Sequence, residues 1–475
     1  MGRFVSRAWA WSSFLLLFSA VPVHADHSDH FDHFEMMGPP PPPLAVLSSS
    51  EIFNKYKSLI FKLTTVLKDD GIGPSYGTAF VVDESGLLAT SFHVVADALL
   101  FPGKYSLKLQ IPGEGTAKRS ELVEVVAIDA PNDLALIKID PKALGLTAAG
   151  PKSMWSTKEI KSPATGERIY PIGFPSNLNL SIVDGVYNEK ISLNSGDVLV
   201  SSSPINHGMS GGPMVESHGV LIGVNRAIQG EAQNIAFFSD ARAIGILLKT
   251  VTEPGAKRTI ASAVVWKEQI EKQLKIQETT FFDLLARPGA IPISFAGVKF
   301  GNFPFYSRCG KNQDNELFQG KLIQSCNAPS FSSPDGRHEG LGANGIFIET
   351  SKDTAQEGGH SKSGTDDLLS SAKFSSLVNK LFSRTLSDHS SFTEADCSER
   401  VVVNKNQLRI HLNYCVSGFR SFKNLYSAVI QMEVPKANRE PAAVGIISFT
   451  GLSSEGITQA FDYYLDQIEL TGAKP

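Results

Sequence analysis

Apolar and polar positions follow two different rhythms along this chain, and the change falls near residue 253. Up to there, short apolar runs are cut every few residues by Gly, Pro, Asn or Asp, the punctuation of β-strands and turns. Residues 51–57 can form a short helix behind a serine cap, and 59–67 then reads as a strand. Residues 77–82 and 87–91 are apolar strands joined across Asp83-Glu84-Ser85-Gly86, a turn-rich tetrad that predicts a hairpin. The second strand runs directly into Phe92-His93-Val94-Val95, which puts His93 at a strand end and not inside a helical stripe. Residues 122–128 and 133–139 are apolar on either side of Ala130-Pro131-Asn132, so Asp133 stands where a loop becomes a strand. Further strands are expected at 169–172, 181–186, 197–201, 220–224 and 234–238, and a short helix at 244–251 closes the region. Many short strands with hardly any helix over about 200 residues predict an all-β barrel domain.

Beyond residue 253 the rhythm lengthens. Trp266, Ile270, Leu274, Phe281 and Leu285 fall near one helical face, and Arg287-Pro288-Gly289 stops that helix. Strands are expected at 298–303, 321–324, 346–349, 401–403 with 408–412, 426–434 and 444–449, and helices at 365–386 and 453–470. This mixture predicts a separate α+β domain. Its polar intervals, 327–345 and 354–364, read as surface loops. The expected division is a leader at 1–25, a tail at 26–49, the barrel domain at 50–252, a linker at 253–262 and the α+β domain at 263–475.

Length agrees with that division, because 475 residues exceed what one hydrophobic core usually organises. The formal net charge is -4, and since residues 1–25 hold two arginines and no acid, the remainder carries -6. Nucleic acid is therefore not an expected partner. Arg3 and Arg7, an apolar run over 8–20 and Val23-His24-Ala25 follow the order of a cleaved secretory signal, with Asp26 as the new start. The apolar run is shorter than the roughly 20 residues of a spanning helix, and no later segment is long and apolar enough to cross a membrane. An exported protein, periplasmic or secreted, is expected. In the tail, His27, His30 and His33 recur among acids ahead of the prolines of 39–43. A weak divalent-metal site there is conceivable, but a solvated tail before a stiff polyproline spacer accounts for the same residues, and no metal is assigned.

The four cysteines, Cys309, Cys326, Cys397 and Cys415, all lie in the second half. They allow three pairings in an exported chain. Sequence neighbours, Cys309 with Cys326 and Cys397 with Cys415, are expected because each pair closes a short loop around a hairpin. The absence of any C-x-x-C pair argues against zinc.

The candidate chemistry centres on His207-Gly208-Met209-Ser210-Gly211-Gly212-Pro213, a serine among three glycines. Glycines let the backbone turn tightly, approach a substrate carbonyl and aim N–H groups at one point, as an oxyanion hole requires. Gly208-Met209-Ser210-Gly211-Gly212 also satisfies G-x-S-x-G, the nucleophile elbow of α/β-hydrolases. That fold needs alternating strands and long helices around its elbow, which this region lacks. A serine nucleophile needs a base and an acid to orient the base, and His93, Asp133 and Ser210 occur in the order of chymotrypsin-like enzymes.

The blocks Thr90-Ser91-Phe92-His93-Val94-Val95, Asn132-Asp133-Leu134-Ala135-Leu136-Ile137-Lys138, and Gly208 to Pro213 with Leu221-Ile222-Gly223-Val224-Asn225 resemble the three motifs of trypsin-like serine proteases. They are most similar to the bacterial HtrA-like branch, and the resemblance covers about residues 50–250. It implies a chymotrypsin-like double β-barrel, with Ser210 as nucleophile, His93 as general base and then acid, and Asp133 as orienting acid. It also implies an oxyanion hole from the N–H groups of Gly208 and Ser210, polypeptide substrates, and a mechanism needing no cofactor or metal. Two departures matter. Met209 stands where trypsin has the aspartate that pairs with a freed amino terminus, and Pro204 stands where trypsin's specificity pocket has its acid. Ile205, Ala236 and Ala227 would then line an apolar pocket for small or medium side chains. Past residue 263 neither the six-strand pattern nor the glycine-rich loop of a PDZ module is found. The competing reading is a protease-like envelope or secreted binding protein without useful catalysis.

Overall fold

The structure is a computed structural model. It describes residues 45–69, 75–112, 118–145, 155, 163–193, 196–228, 235–253, 262–304, 307–312, 323–328, 342–349, 392–434 and 443–471. The leader, most of the tail and of the linker, the helix expected at 365–386, and most of the loop residues expected at 327–345 with all of 354–364 lie outside the described residues. Residues 45–475 constitute one compact unit.

Helix α1 (Ser49–Tyr56) opens it, and the sequence explains its start: Ser48 and Glu51 form a reciprocal capping box. Strands β1 (Ile60–Leu67), β2 (Ser75–Val81) and β3 (Leu87–Ser91) follow, with β2 and β3 pairing across the expected turn. Asp83 fixes that turn, its Oδ1 accepting from the N–H groups of Ser85 and Leu87.

Directly after β3 comes helix α2 (Phe92–Leu100), and this corrects one expectation. His93 is in the first turn of a helix, not at a strand end. Val94 and Val95 carry a β preference, but seven of the nine residues of α2 are buried, and packing against the barrel outweighs local propensity. Strands β4 (Tyr105–Pro112), β5 (Lys118–Asp129) and β6 (Leu134–Lys138) complete a closed barrel in the order β1-β2-β3-β6-β5-β4.

The second barrel is built from β7 (Arg168–Gly173), β8 (Ser181–Ile182), β9 (Gly185–Leu193), β10 (Gly196–Ser201), β11 (Pro213–Glu216), β12 (Leu221–Ile228) and β13 (Ala236–Asp240). Its order is β11-β12-β13-β10-β9-β7, closed by pairing of β11 with β7, while β8 adds to β7 outside the ring. The segment expected as one strand over 181–186 is thus two, β8 and the start of β9. Closure removes the unpaired edges an open sheet would leave. Together the rings form the chymotrypsin-like double barrel. Helix α3 (Arg242–Thr252) follows, burying Ile244, Leu247 and Val251.

The second half starts with α4 (Ala263–Ala286), a helix of 24 residues and hence about 36 Å long. Strands β14 (Ile291–Phe295) and β15 (Val298–Phe303) form a hairpin. Strands β16 (Arg308–Asn312), β17 (Ile323–Ala328), β18 (Gly342–Glu349), β19 (Asp396–Val403), β20 (Arg409–Gly418), β21 (Tyr426–Val434) and β22 (Ala443–Leu452) make a seven-stranded antiparallel sheet in the order β16-β17-β18-β22-β21-β20-β19. Helix α5 (Ser454–Gln467) and the short β23 (Glu469–Leu470) end the described chain, with β23 paired to β15.

Two hydrophobic clusters share α4. Its Trp266, Ile270 and Leu274 join the core of the first barrel, whereas Phe281 and Leu285 join the core between the sheets and α5. Each such fully buried side chain contributes about 2 kcal/mol, so both ends of the helix are firmly seated.

Both disulfides pair sequence neighbours as expected. Cys309 faces Cys326 across β16–β17, and Cys397 faces Cys415 across β19–β20. Each closes a loop of 17 or 18 residues, for which the chain-entropy estimate is about 3 kcal/mol. Replacing Cys397 and Cys415 together by serine is expected to lower the unfolding free energy of the full chain by about that amount, read as a lower urea midpoint. The double variant should also lose much of the difference between oxidising and reducing conditions that the parent shows.

Candidate active site at the junction of the barrels

The histidine and aspartate come from the first barrel. His93 lies two residues past the end of β3, and Asp133 immediately precedes the first residue of β6, strands that pair with Ser91 opposite Leu134. This register brings the two side chains together. His93 Nδ1 lies 2.8 Å from Asp133 Oδ2, and the His93 backbone N–H donates to Asp133 Oδ1 at 2.9 Å. Asp133 is buried and His93 half-buried. With Nδ1–H facing the carboxylate, Nε2 keeps its lone pair for another partner.

The turn carrying the acid is tightly held. Asp133 has φ 51°, in the left-handed region that aspartate tolerates better than most residues. Its N–H donates to Ala130 O, and its carbonyl accepts from Phe92 N–H at 3.0 Å. Asp129 caps the same turn, accepting from Asn132 through both backbone N–H and side-chain amide. Burial pushes the Asp129 carboxyl above its ordinary range, against the opposing pull of Asn132.

Behind the acid sits Arg226 of β12, 3% exposed. Its Nε is 3.9 Å from Asp133 Oδ2 and its Nη2 donates to Pro131 O at 3.2 Å. Burial pulls the guanidinium below its usual pKa, while Asp133 and Asp129 pull it back up. A buried cation of this kind offsets the charge of two neighbouring carboxylates.

The serine lies in the loop between β10 and β11. Gly208 has φ 92° and Gly211 φ 83°, conformations that favour glycine, and a Cβ on Gly211 would stand 2.2 Å from Thr78 O. Thr78 ties this loop to the first barrel. Its N–H donates to Ser210 O at 2.8 Å and its Oγ1 donates to Gly208 O at 2.7 Å. Asn225 ties it to the second, donating from Nδ2 to Met209 O and Ile172 O. Met209 is fully buried among Ile169, Leu199, Met214 and Phe238, so apolar packing occupies the place of trypsin's ion pair.

Ser210 Oγ donates to Arg226 O at 3.1 Å; among the described residues this carbonyl, not His93, is its hydrogen-bond partner. Ser210 O and Val94, the residue after His93, both border Gly77, where a Cβ would lie 2.9 Å and 2.6 Å from them. The N–H groups of Gly208 and Ser210 donate to no acceptor among the described residues. Of the expected pocket residues, Ile205 and Ala236 share one buried cluster, and the side chain of Ala227 lies outside the described residues. No role for Arg226, Thr78 or Asn225 is read from sequence, although Asn225 closes the motif block that starts at Leu221 and Arg226 interrupts the apolar run of 221–228.

Comparison with known proteins supports the same region. Residues 77–224 match the family model of the trypsin-like peptidase domain. Protease Do-like 1, chloroplastic, of Arabidopsis thaliana is 25% identical over 272 residues, covering 54% of this chain and 55% of that protein. The probable periplasmic serine endoprotease DegP-like of Chlamydia trachomatis is 32% identical over 157 residues, covering 32% of this chain and 28% of that one. The chain thus spans about half, or less, of the length of these curated relatives. Among solved structures, the serine endoprotease from Yersinia pestis aligns with a TM-score of 0.35 at 20% identity, over 44% of this chain and 67% of that one. Motif order, barrel topology and the family match agree on a trypsin-like peptidase domain over residues 77–224, a region similar to DegP-like serine endoproteases.

Proposed function

We propose that the chain is a serine endopeptidase acting on polypeptides, with Ser210 as nucleophile, His93 as general base and acid, and Asp133 as the orienting acid. The observation that carries this reading is the double engagement of Asp133 with His93, through backbone N–H and Nδ1, beside a glycine loop whose serine N–H is left without an acceptor among the described residues.

In the proposed reaction, Ser210 Oγ leaves Arg226 O by rotating about χ1 and donates to His93 Nε2. As the oxygen attacks a substrate carbonyl, His93 takes the hydroxyl proton, and Asp133 stabilises the imidazolium that forms. The Gly208 and Ser210 N–H groups receive the developing oxyanion. Collapse of the tetrahedral intermediate expels the amine, which takes the proton back from His93. Water then repeats the sequence on the acyl-enzyme. Every proton moves between Ser210, His93, substrate and water, so the cycle needs no cofactor.

The preference we assign is for small or medium apolar side chains before the scissile bond, from Ile205, Ala236 and Ala227, with Pro204 in place of an acid. The leader motif over 1–25 supports export, and no helix among the described residues is long and apolar enough to cross a membrane.

A fluorophosphonate probe separates an enzyme from a protease-like binding protein. The folded full chain is expected to be labelled at Ser210, and Ser210→Ala to lose labelling together with peptide hydrolysis, by a factor on the order of 10⁶ in kcat. Labelling unchanged in Ser210→Ala, or absent from the parent, would favour the binding-protein reading. A peptide series varied only before the scissile bond tests the pocket: Ala and Val peptides should have the highest kcat/KM, and strict cleavage after Arg would exclude the assignment.

A further inference from the structure

Helix α4 belongs by chain order to the second half of the molecule, yet it reaches the acid turn of the candidate active site. Gln273 and Gln277 lie one turn apart on it. Gln273 Oε1 accepts from Ala130 N–H at 2.9 Å, and its Nε2 donates to Ile128 O at 2.8 Å. Gln277 Nε2 donates to Pro131 O at 3.1 Å, the carbonyl that also accepts from Arg226. Two amides therefore satisfy three main-chain groups in the segment leading to Asp133.

Two further features argue against incidental surface contact. Gln277 is 7% exposed and falls between Leu274 and Phe281, at a position of the helix stripe where an apolar residue would pack at lower desolvation cost. Asp133 itself holds φ 51°, a conformation kept only when the surroundings over-determine it. The three amide contacts act on Ile128, Ala130 and Pro131, and the Asp133 N–H is bonded to Ala130 O. A shift of α4 is thereby transmitted to the carboxylate that orients His93.

We propose that Gln273 and Gln277 are positioning residues for catalysis: α4 clamps the acid turn, so that the orientation of His93 depends on how the C-terminal half is seated. This rests on the endopeptidase reading and deepens it. The three hydrogen bonds of the clamp go to main-chain groups of the acid turn, so the glutamines act on His93 through Asp133.

The test uses the full chain with Gln273→Met and Gln277→Met together, which keep side-chain length and packing while removing the amides. Expected are a fall in kcat of about tenfold to a hundredfold with KM within twofold of the parent, and movement or loss of the low-field proton resonance of the His93 Nδ1–H to Asp133 hydrogen bond. The control is Glu271→Gln on the same helix, which weakens acceptance from the Lys423 and Asn424 N–H groups and leaves the acid turn alone. It should keep both kcat and resonance. Unchanged kcat and resonance in the methionine variant, or an equal loss in the control, would overturn the clamp. Should the methionine variant not fold, Gln273→Glu, which keeps the acceptor for Ala130 N–H and loses the donor to Ile128 O, carries the same two readouts. If the parent shows no Ser210-dependent labelling, the endopeptidase reading falls. The proton resonance then still decides whether α4 positions His93.

Discussion

The carboxylate of Asp133 is the point on which the site depends. It must be buried to hold one histidine tautomer, and a buried carboxylate requires donors on all sides. The chain supplies His93 twice, through main chain and ring, and places the Arg226 cation behind the same oxygen that faces the ring. Those demands explain the tight local backbone. The turn over 130–133, the Asp129 cap and the positive φ all aim a short side chain from the start of β6 back toward the start of α2. They also explain why α2 must be a helix. Only a chain that turns sharply after Ser91 can present both the N–H and the ring of His93 to one carboxylate.

Much of this was legible from sequence because it follows from short-range chemistry. The hairpin around Asp83 to Gly86 shows in its turn residues, the halt of α4 in Arg287-Pro288-Gly289, and the disulfide partners in the spacing of cysteines that prove to face each other across neighbouring strands. What stayed hidden depends on tertiary context. Phe92-His93-Val94-Val95 reads as extended because its β-branched residues say so, and only the burial of seven α2 residues reverses that preference. Strand β4 is legible after the fact, since Tyr105, Leu107, Leu109 and Ile111 alternate with polar residues and are buried. Strands β11 and β16, by contrast, are short, carry no alternation and are held extended by pairing with their neighbours.

The candidate site divides along the same line. His93, Asp133 and Ser210 are visible because glycines and motif order announce them. Arg226, Thr78 and Asn225 are ordinary residues until the fold places them against main-chain carbonyls. Gln277 is intermediate: a polar residue inside an apolar stripe is a departure that sequence displays, but its partner, Pro131 O, is 146 positions away. A pattern can flag such a residue without naming what it serves.

The two halves of the site are held by different means, and this bears on where control can enter. The serine loop is fastened within the barrels by Thr78 to Gly208 O, Asn225 to Met209 O and the packing of Met209, none of which involves a chain terminus. Trypsin's route of shaping this loop through a freed amino terminus has no counterpart residue here, and the loop needs none to have a defined structure. The acid turn is different, because part of its support comes from α4, whose far end is buried with the C-terminal sheets through Phe281 and Leu285. A helix transmits displacement along its axis with little internal give, since each hydrogen-bonded turn constrains the next. On the endopeptidase reading, a displacement of α4 would therefore bear on Asp133 through Gln273 and Gln277, whereas the Ser210 loop is fastened by contacts within the barrels.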